Sequence, residues 1–127
     1  MSAIASRMML TGLLLVLGLL SGIWLGYAGK PYNGAIFTVH KLIALGTVIA
    51  AAVTVYHVRT GGALRSLTVV AVVVTALLFL VMFVSGALLS IGKPAQAAML
   101  LTHRVGLILV TLSVALTAFL LAGGRRA

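Results

Sequence analysis

Residues 29–41 read GKPYNGAIFTVHK, and residues 92–104 read GKPAQAAMLLTHR. Each stretch opens on Gly-Lys-Pro and reaches a histidine nine residues after the proline, with a basic residue directly behind it: His40-Lys41 in the first, His103-Arg104 in the second. Proline and histidine both recur at an offset of 63, so the two copies are in register. A glycine, a cation and a proline in a row break a helix, and a long apolar run follows them in both copies. Each stretch therefore reads as the turn of a helical hairpin together with the first turns of its second helix. Two such stretches make the chain two hairpins.

Working outward, about 20 apolar residues, Met8 to Tyr27, precede the first turn, and a segment from about Gly34 to His57 follows it. A third segment runs from about Ser66 to Ile91 and a fourth from about Ala95 to Ala122. About 20 apolar residues at 1.5 Å rise cross the ~30 Å hydrocarbon layer of a bilayer. Of the 127 residues 63% are hydrophobic and 7% charged, and the mean hydropathy is +1.32. A water-soluble domain of this size has no interior large enough for that much apolar surface, so the solvent is lipid. Arg7 followed by Met8 to Leu20 has the look of a secretory signal, but no small-x-small cleavage site precedes Lys30, and the segment takes part in the repeat. It is read as a retained helix. The expected fold is all-α: an integral membrane antiparallel four-helix bundle, a single domain over residues 1–127 with spans 8–27, 34–57, 66–91 and 95–122.

The repeat extends into the first helix of each hairpin. Thr11-Gly12-Leu13-Leu14 stands where the third segment has Thr75-Ala76-Leu77-Leu78, and Ser21-Gly22 matches Ser85-Gly86, now at an offset of 64. One residue is thus missing from the second turn. Beyond the histidines, Thr54 and Thr117 return to the offset of 63. Leucine matches carry no weight in such helices, but Ser-Gly, Gly-Lys-Pro and His-basic in order point to tandem duplication of one hairpin. Parallel repeats of this kind are related by a pseudo-two-fold axis along the membrane normal.

Composition excludes whole classes of chemistry. The chain has no Asp, Glu or Cys, so it supplies no paired carboxylates, no acid-oriented triad, no thiolate nucleophile and no iron-sulfur ligands. Nine Lys plus Arg give a net charge of +9, which calls for anionic partners such as lipid headgroups or cofactor carboxylates, with no nucleic acid expected. Arg7, Arg59, Arg65, Arg125 and Arg126 fall on the face with the termini. By the positive-inside rule that face is cytoplasmic, in a bacterial or archaeal inner membrane.

An imidazole inside hydrocarbon is costly unless it is satisfied, which makes an intramembrane histidine a functional candidate. If the second and fourth helices run in the same direction, nine residues past the proline places His40 and His103 at nearly equal depth, about 13 Å along each helix. Two imidazoles at one depth suit the two axial positions of a six-coordinate haem, so His40 and His103 are the candidate metal ligands. Gly22 and Gly86 are candidates to leave room for the ring. Lys30, Lys41, Lys93 and Arg104 cluster near the same face, where they would pair with the two propionates in a chain that has no acid of its own. Snorkelling to phosphate headgroups is the other use of those cations. A bland account of the histidines is also available, in which each bonds a neighbouring helix.

His57 has no repeat partner, since Leu120 occupies the matching position. It lies about 25 Å from His40 along the helix and cannot share its cofactor. Beside Tyr56 and Arg59 it reads as interfacial; a second haem with Met8 or Met9, or a quinone pocket bordered by Tyr56-His57, are its other candidate roles. Met99, one turn before His103, would suit a soft Cu(I) site. Trp24, Tyr27 and Tyr32 read as an aromatic belt.

Four apolar helices with histidines at His40 and His103 on separate helices resemble the membrane b-type cytochromes, both the cytochrome b561 type and the haem-bearing anchor subunits of respiratory dehydrogenases. That resemblance implies haem b, electron transfer to or from a quinone or a partner subunit, and membership of a larger membrane complex or an oligomer. Where the cytochrome b561 type has four histidines for two haems, this chain has one matched pair, which implies one bis-histidine haem. Two alternatives stay open: a non-redox accessory subunit whose histidines hold a chlorophyll-type pigment or join helices, and a small transporter or metal-handling protein.

Overall fold

The computed structural model describes residues 2–29, 31–91 and 96–123. The protein is all-α, with four helices in the order α1 (Ala3–Ala28), α2 (Gly34–Thr60), α3 (Ser66–Ile91) and α4 (Gln96–Gly123). Each is long and apolar enough to cross a membrane. At 1.5 Å per residue these 26 to 28 residues reach about 40 Å, enough for the hydrocarbon layer and part of both headgroup regions. The helices pair as two hairpins, α1 with α2 and α3 with α4. They form two compact units, Met1–Ala63 and Leu64–Ala127.

Helix ends follow from local chemistry rather than from the edges of the apolar runs. α1 starts five residues before Met8 because the Ser2 hydroxyl accepts the Ala5 N–H at 3.1 Å and caps it there. It stops at Gly29, whose φ of 73° is open only to glycine at low cost and whose N–H returns to the Leu25 carbonyl at 3.3 Å. Asn33 then caps α2, its Oδ1 accepting from Ala35 N at 2.9 Å and Ile36 N at 3.1 Å. α2 outlasts His57 by three residues. His57 and Arg59 place basic side chains in its last turn, where the helix dipole favours them, and Gly61 and Gly62 take up the Val58 and Arg59 carbonyls at 3.2 Å each.

Burial is inverted relative to a water-soluble protein. The buried side chains are mostly small and hydroxylic: Thr11, Ser21, Thr47 and Thr54 in the first hairpin, and Thr68, Thr75, Ser85 and Thr117 in the second. Leucines and valines such as Leu13, Leu42, Leu77 and Leu112 face outward. Lipid is as apolar as leucine, so nothing drives those side chains inward, whereas small residues let two backbones approach and satisfy their hydroxyls locally. The Thr11 hydroxyl donates to Arg7 O at 2.9 Å, Thr47 to Ile43 O at 2.8 Å and Thr54 to Ala50 O at 2.8 Å. Among the described residues no buried side-chain nitrogen or oxygen lacks a partner.

The two hairpins repeat their contacts as well as their sequence. Leu25 and Leu89, at the offset of 64, are both buried, as are Thr47 and Val110, at the offset of 63, each only 2% exposed. Where α1 has Gly18 facing the Ile43 Cγ2 of α2, α3 has Met82 facing Gly106 of α4. These are the same two positions with the large and the small residue exchanged.

Candidate functional site

His40 lies in the second turn of α2, half-buried, and its ring turns toward α1. The Ser21 Oγ is 2.8 Å from its Nδ1. A Cβ on Gly22 would stand 3.2 Å from the imidazole Cε1 and 3.7 Å from Nδ1, so the ring fills the space that a side chain at residue 22 would need. The second hairpin repeats the arrangement: Ser85 Oγ lies 2.8 Å from His103 Nδ1, and a Cβ on Gly86 would stand 3.4 Å from His103 Cε1. The Ser-Gly pair and the histidine recur together because they meet.

Each serine makes a second contact that fixes the direction of the first. Ser21 Oγ is also 2.9 Å from the Gly18 carbonyl, and Ser85 Oγ is 3.1 Å from the Met82 carbonyl. A carbonyl oxygen only accepts, so the single hydroxyl proton of each serine goes to its own helix. With that proton on the carbonyl, the serine offers the histidine a lone pair and Nδ1 is the donor. In a neutral ring, the form that an apolar span favours, Nδ1 carries the proton and Nε2 carries the in-plane lone pair. This tautomer is assigned from the hydrogen-bond network. It is the one in which a histidine binds a metal through Nε2 while the other nitrogen is held by an oxygen acceptor.

The expected flanking residues divide. Lys41 is exposed, with its Nζ 4.5 Å from the Phe37 ring centroid, and Phe37 in turn meets Tyr32 edge-on at 5.6 Å. Arg104 is likewise exposed on α4. Lys30 and Lys93 lie outside the described residues. Gly22 and Gly86, expected to make room for a large ring, stand against the imidazole of their own hairpin. His57 is exposed at the far end of α2, edge-on to Tyr56 at 5.6 Å, as its interfacial reading expects. Trp24 and Tyr27 are exposed.

Two features went unread in the sequence. Ser21 and Ser85 were visible as a repeated pair but not as the partners of the histidines; recurrence of serine and histidine together was the available signal. The other is a hydroxyl cluster in the second hairpin, where Thr75 donates to Ala71 O at 2.7 Å and so accepts from both Ser113 and Thr117, the latter at 3.0 Å. Ala50 stands where a counterpart of Ser113 would be, so the repeat offered no hint of it. No group of three or more His, Cys, Asp or Glu able to hold a metal occurs among the described residues. Comparison with protein-family models, with curated proteins and with solved structures finds no match.

Proposed function

We propose that the chain is a membrane b-type cytochrome: two tandem-duplicated hairpins forming an antiparallel four-helix bundle that holds one haem b between His40 of α2 and His103 of α4. The observation that supports this reading is the pair of Ser–His contacts, which orient the two histidines, separately and by the same geometry, through Nδ1. The donor chemistry fits: two imidazoles, those of His40 and His103, in a chain without thiolate or carboxylate competitors. Lys41 and Arg104, one residue beyond each histidine, and Lys30 and Lys93 of the two Gly-Lys-Pro stretches would supply positive charge for the two carboxylates such a group carries.

Haem, when bound, supplies a one-electron couple at iron. The protein's own part would be to hold the group through His40 and His103, to orient the two imidazoles, and to keep water out with the apolar spans. Electrons would pass to or from a quinone or a partner subunit at the face opposite the termini, in an inner membrane with the termini cytoplasmic. One cofactor near one face covers part of the bilayer, so a redox partner, a larger complex or an oligomer belongs to the reading.

Colour tests it. Protein purified from a haem-replete host should show a Soret band, sharp α and β bands on reduction, and one haem per chain. His40→Ala and His103→Ala should each lose the haem or leave it five-coordinate, while His57→Ala should leave the spectrum unchanged. A preparation that stays colourless after haemin is added back would remove the proposal and leave the two histidines as helix glue, the service that their serine contacts already perform.

A further inference from the structure

The cations of this chain meet no side-chain carboxylate of its own, because the sequence holds no Asp or Glu. Counted along the paired helices from the Ser21–His40 contact, Arg7 of α1 and Thr54 of α2 are both 14 residues away and so stand at one level. That is the end of the first hairpin at which α2 finishes, with His57 and Arg59 exposed in its last turn. Arg7 is half-buried, one turn before the buried Thr11 on the same face of α1, and its matching position in α3 holds the buried Ala71. A cation beside a helix contact in an apolar span is costly unless an anion satisfies it. Side chains tilt toward the N-terminus of their helix, so the Arg7 side chain leaves α1 toward the membrane surface, where a guanidinium reaches headgroup depth.

Toward the membrane centre from these cations the surface is apolar, with Leu10 and Leu13 of α1 and Ile49 and Val53 of α2 exposed. A phospholipid has the same division, a phosphate at the surface and hydrocarbon beneath it, whereas an acidic protein in water would have no use for the apolar half. The second hairpin provides an internal comparison. Its matching positions keep the apolar half, with Val74, Leu77, Leu112 and Leu116 exposed. They drop the cationic half, since Ala71, Leu120 and Ala122 stand in place of Arg7, His57 and Arg59. The cations near that end of the second hairpin fall outside its helices, Arg65 before α3 and Arg125 and Arg126 after α4. We propose that the end of the first hairpin formed by Arg7, His57 and Arg59 is a binding surface for the phosphate of an anionic phospholipid, whose acyl chains lie on the apolar residues beneath. The two arginines supply the charge, and a guanidinium presents its donors to phosphate oxygens in a fixed fork. This surface needs no cofactor and stands independently of the cytochrome reading.

The test uses the full-length protein in an uncharged detergent, titrated with phosphatidylglycerol or with phosphatidylcholine, the lipid bound per chain being counted by native mass spectrometry. The parent should bind phosphatidylglycerol in preference to phosphatidylcholine, and added salt should weaken the first and not the second. Arg7→Gln and Arg59→Gln should each lower the affinity for phosphatidylglycerol about fivefold, the worth of one Lys or Arg at an anionic surface, and leave phosphatidylcholine unchanged. Arg59 is exposed at the helix end, so its variant keeps the test open if Arg7→Gln disturbs the contact between α1 and α2; circular dichroism that matches the parent confirms the fold of both. Arg65→Gln, outside the helices, should have the smaller effect. Inorganic phosphate should not displace the lipid, because it leaves the apolar half empty. Equal binding of the two lipids by the parent would overturn the proposal and leave an acidic partner protein as the occupant of this end. Displacement by inorganic phosphate, or a loss in Arg65→Gln as large as in the Arg7 and Arg59 variants, would overturn it as well.

Discussion

Met82 lies over Gly106 so closely that a Cβ at residue 106 would stand 2.8 Å from its sulfur. In the first hairpin the corresponding contact is Gly18 against Ile43, with a Cβ at residue 18 standing 3.6 Å from the Ile43 Cγ2. One contact between the paired helices is therefore filled from α2 in one hairpin and from α3 in the other. Such an exchange is what packing permits at equivalent positions of two hairpins, because the summed volume at the contact stays nearly constant while each single step overfills or empties it.

Hence Gly18→Met alone should destabilise by about 1–3 kcal/mol through overpacking. Ile43→Gly alone should cost about 2–5 kcal/mol through the cavity it opens. The double variant, which gives the first hairpin the arrangement of the second, should recover at least ~1 kcal/mol relative to the sum. Reversible unfolding in mixed detergent micelles reads all three. Strict additivity would show that the two contacts are not equivalent.

The glycines offer a graded comparison at the histidines. Gly22→Ala sets a methyl 3.2 Å from the His40 ring, and Gly86→Ala sets one 3.4 Å from the His103 ring, so both rings must give way and the first more than the second. Gly12→Ala meets nothing within 4 Å and should stabilise α1 by about 0.5–1 kcal/mol by removing backbone freedom from the unfolded chain. On the cytochrome reading, Gly22→Ala should perturb the low-spin ferric electron paramagnetic resonance spectrum more than Gly86→Ala does. An unaltered spectrum in both would show that the imidazoles have room the contacts deny.

What could be read from sequence divides along a physical line. Helix count, type and pairing were legible because apolar length and the Gly-Lys-Pro breakers act locally; Gly61 and Gly62 end α2 just where a cation and two glycines say it should end. The starts were less so. α1 begins at Ala3 because one hydroxyl, that of Ser2, can cap a helix ahead of its apolar run. The histidines were found through their repeat, but their partners were not, because a Ser–His bond joins residues 18 or 19 apart on different helices and leaves no periodic trace. The hydroxyls of Thr75, Ser113 and Thr117 were hidden for the same reason.

That hydroxyl cluster gives a stability prediction specific to the second hairpin. Thr75 accepts from Ser113 and Thr117 across the α3–α4 contact, so Thr75→Val removes the acceptor of two donors at once. Interhelical hydroxyl bonds in membranes average about 0.6 kcal/mol each, which puts the loss at about 1–2 kcal/mol. Thr11→Val, at the matching position of α1, loses a hydroxyl that donates to Arg7 O of its own helix and should cost less than about 0.5 kcal/mol. Equal losses in the two hairpins, measured by the same detergent titration, would deny the cluster its bridging role.

The first turn can be tested at Gly29. Its backbone has φ 73° and ψ −176°, a region in which a side chain meets the neighbouring peptide units, and nothing else lies within 4 Å of where a Cβ would sit. Any penalty on adding one is thus conformational and not a matter of packing. Gly29→Ala should cost about 1–3 kcal/mol, whereas Gly34→Ala, inside α2 with equally open surroundings, should be neutral or favourable by up to about 1 kcal/mol. The contrast matters for the site because this turn sets where α2 begins and hence the register that brings His40 opposite Ser21. A Gly29→Ala protein should therefore show weakened ordering of the His40 ring by 15N relaxation while the His103 ring keeps its parental behaviour. Parallel loosening of both rings would mean that the first turn does not act through its own hairpin.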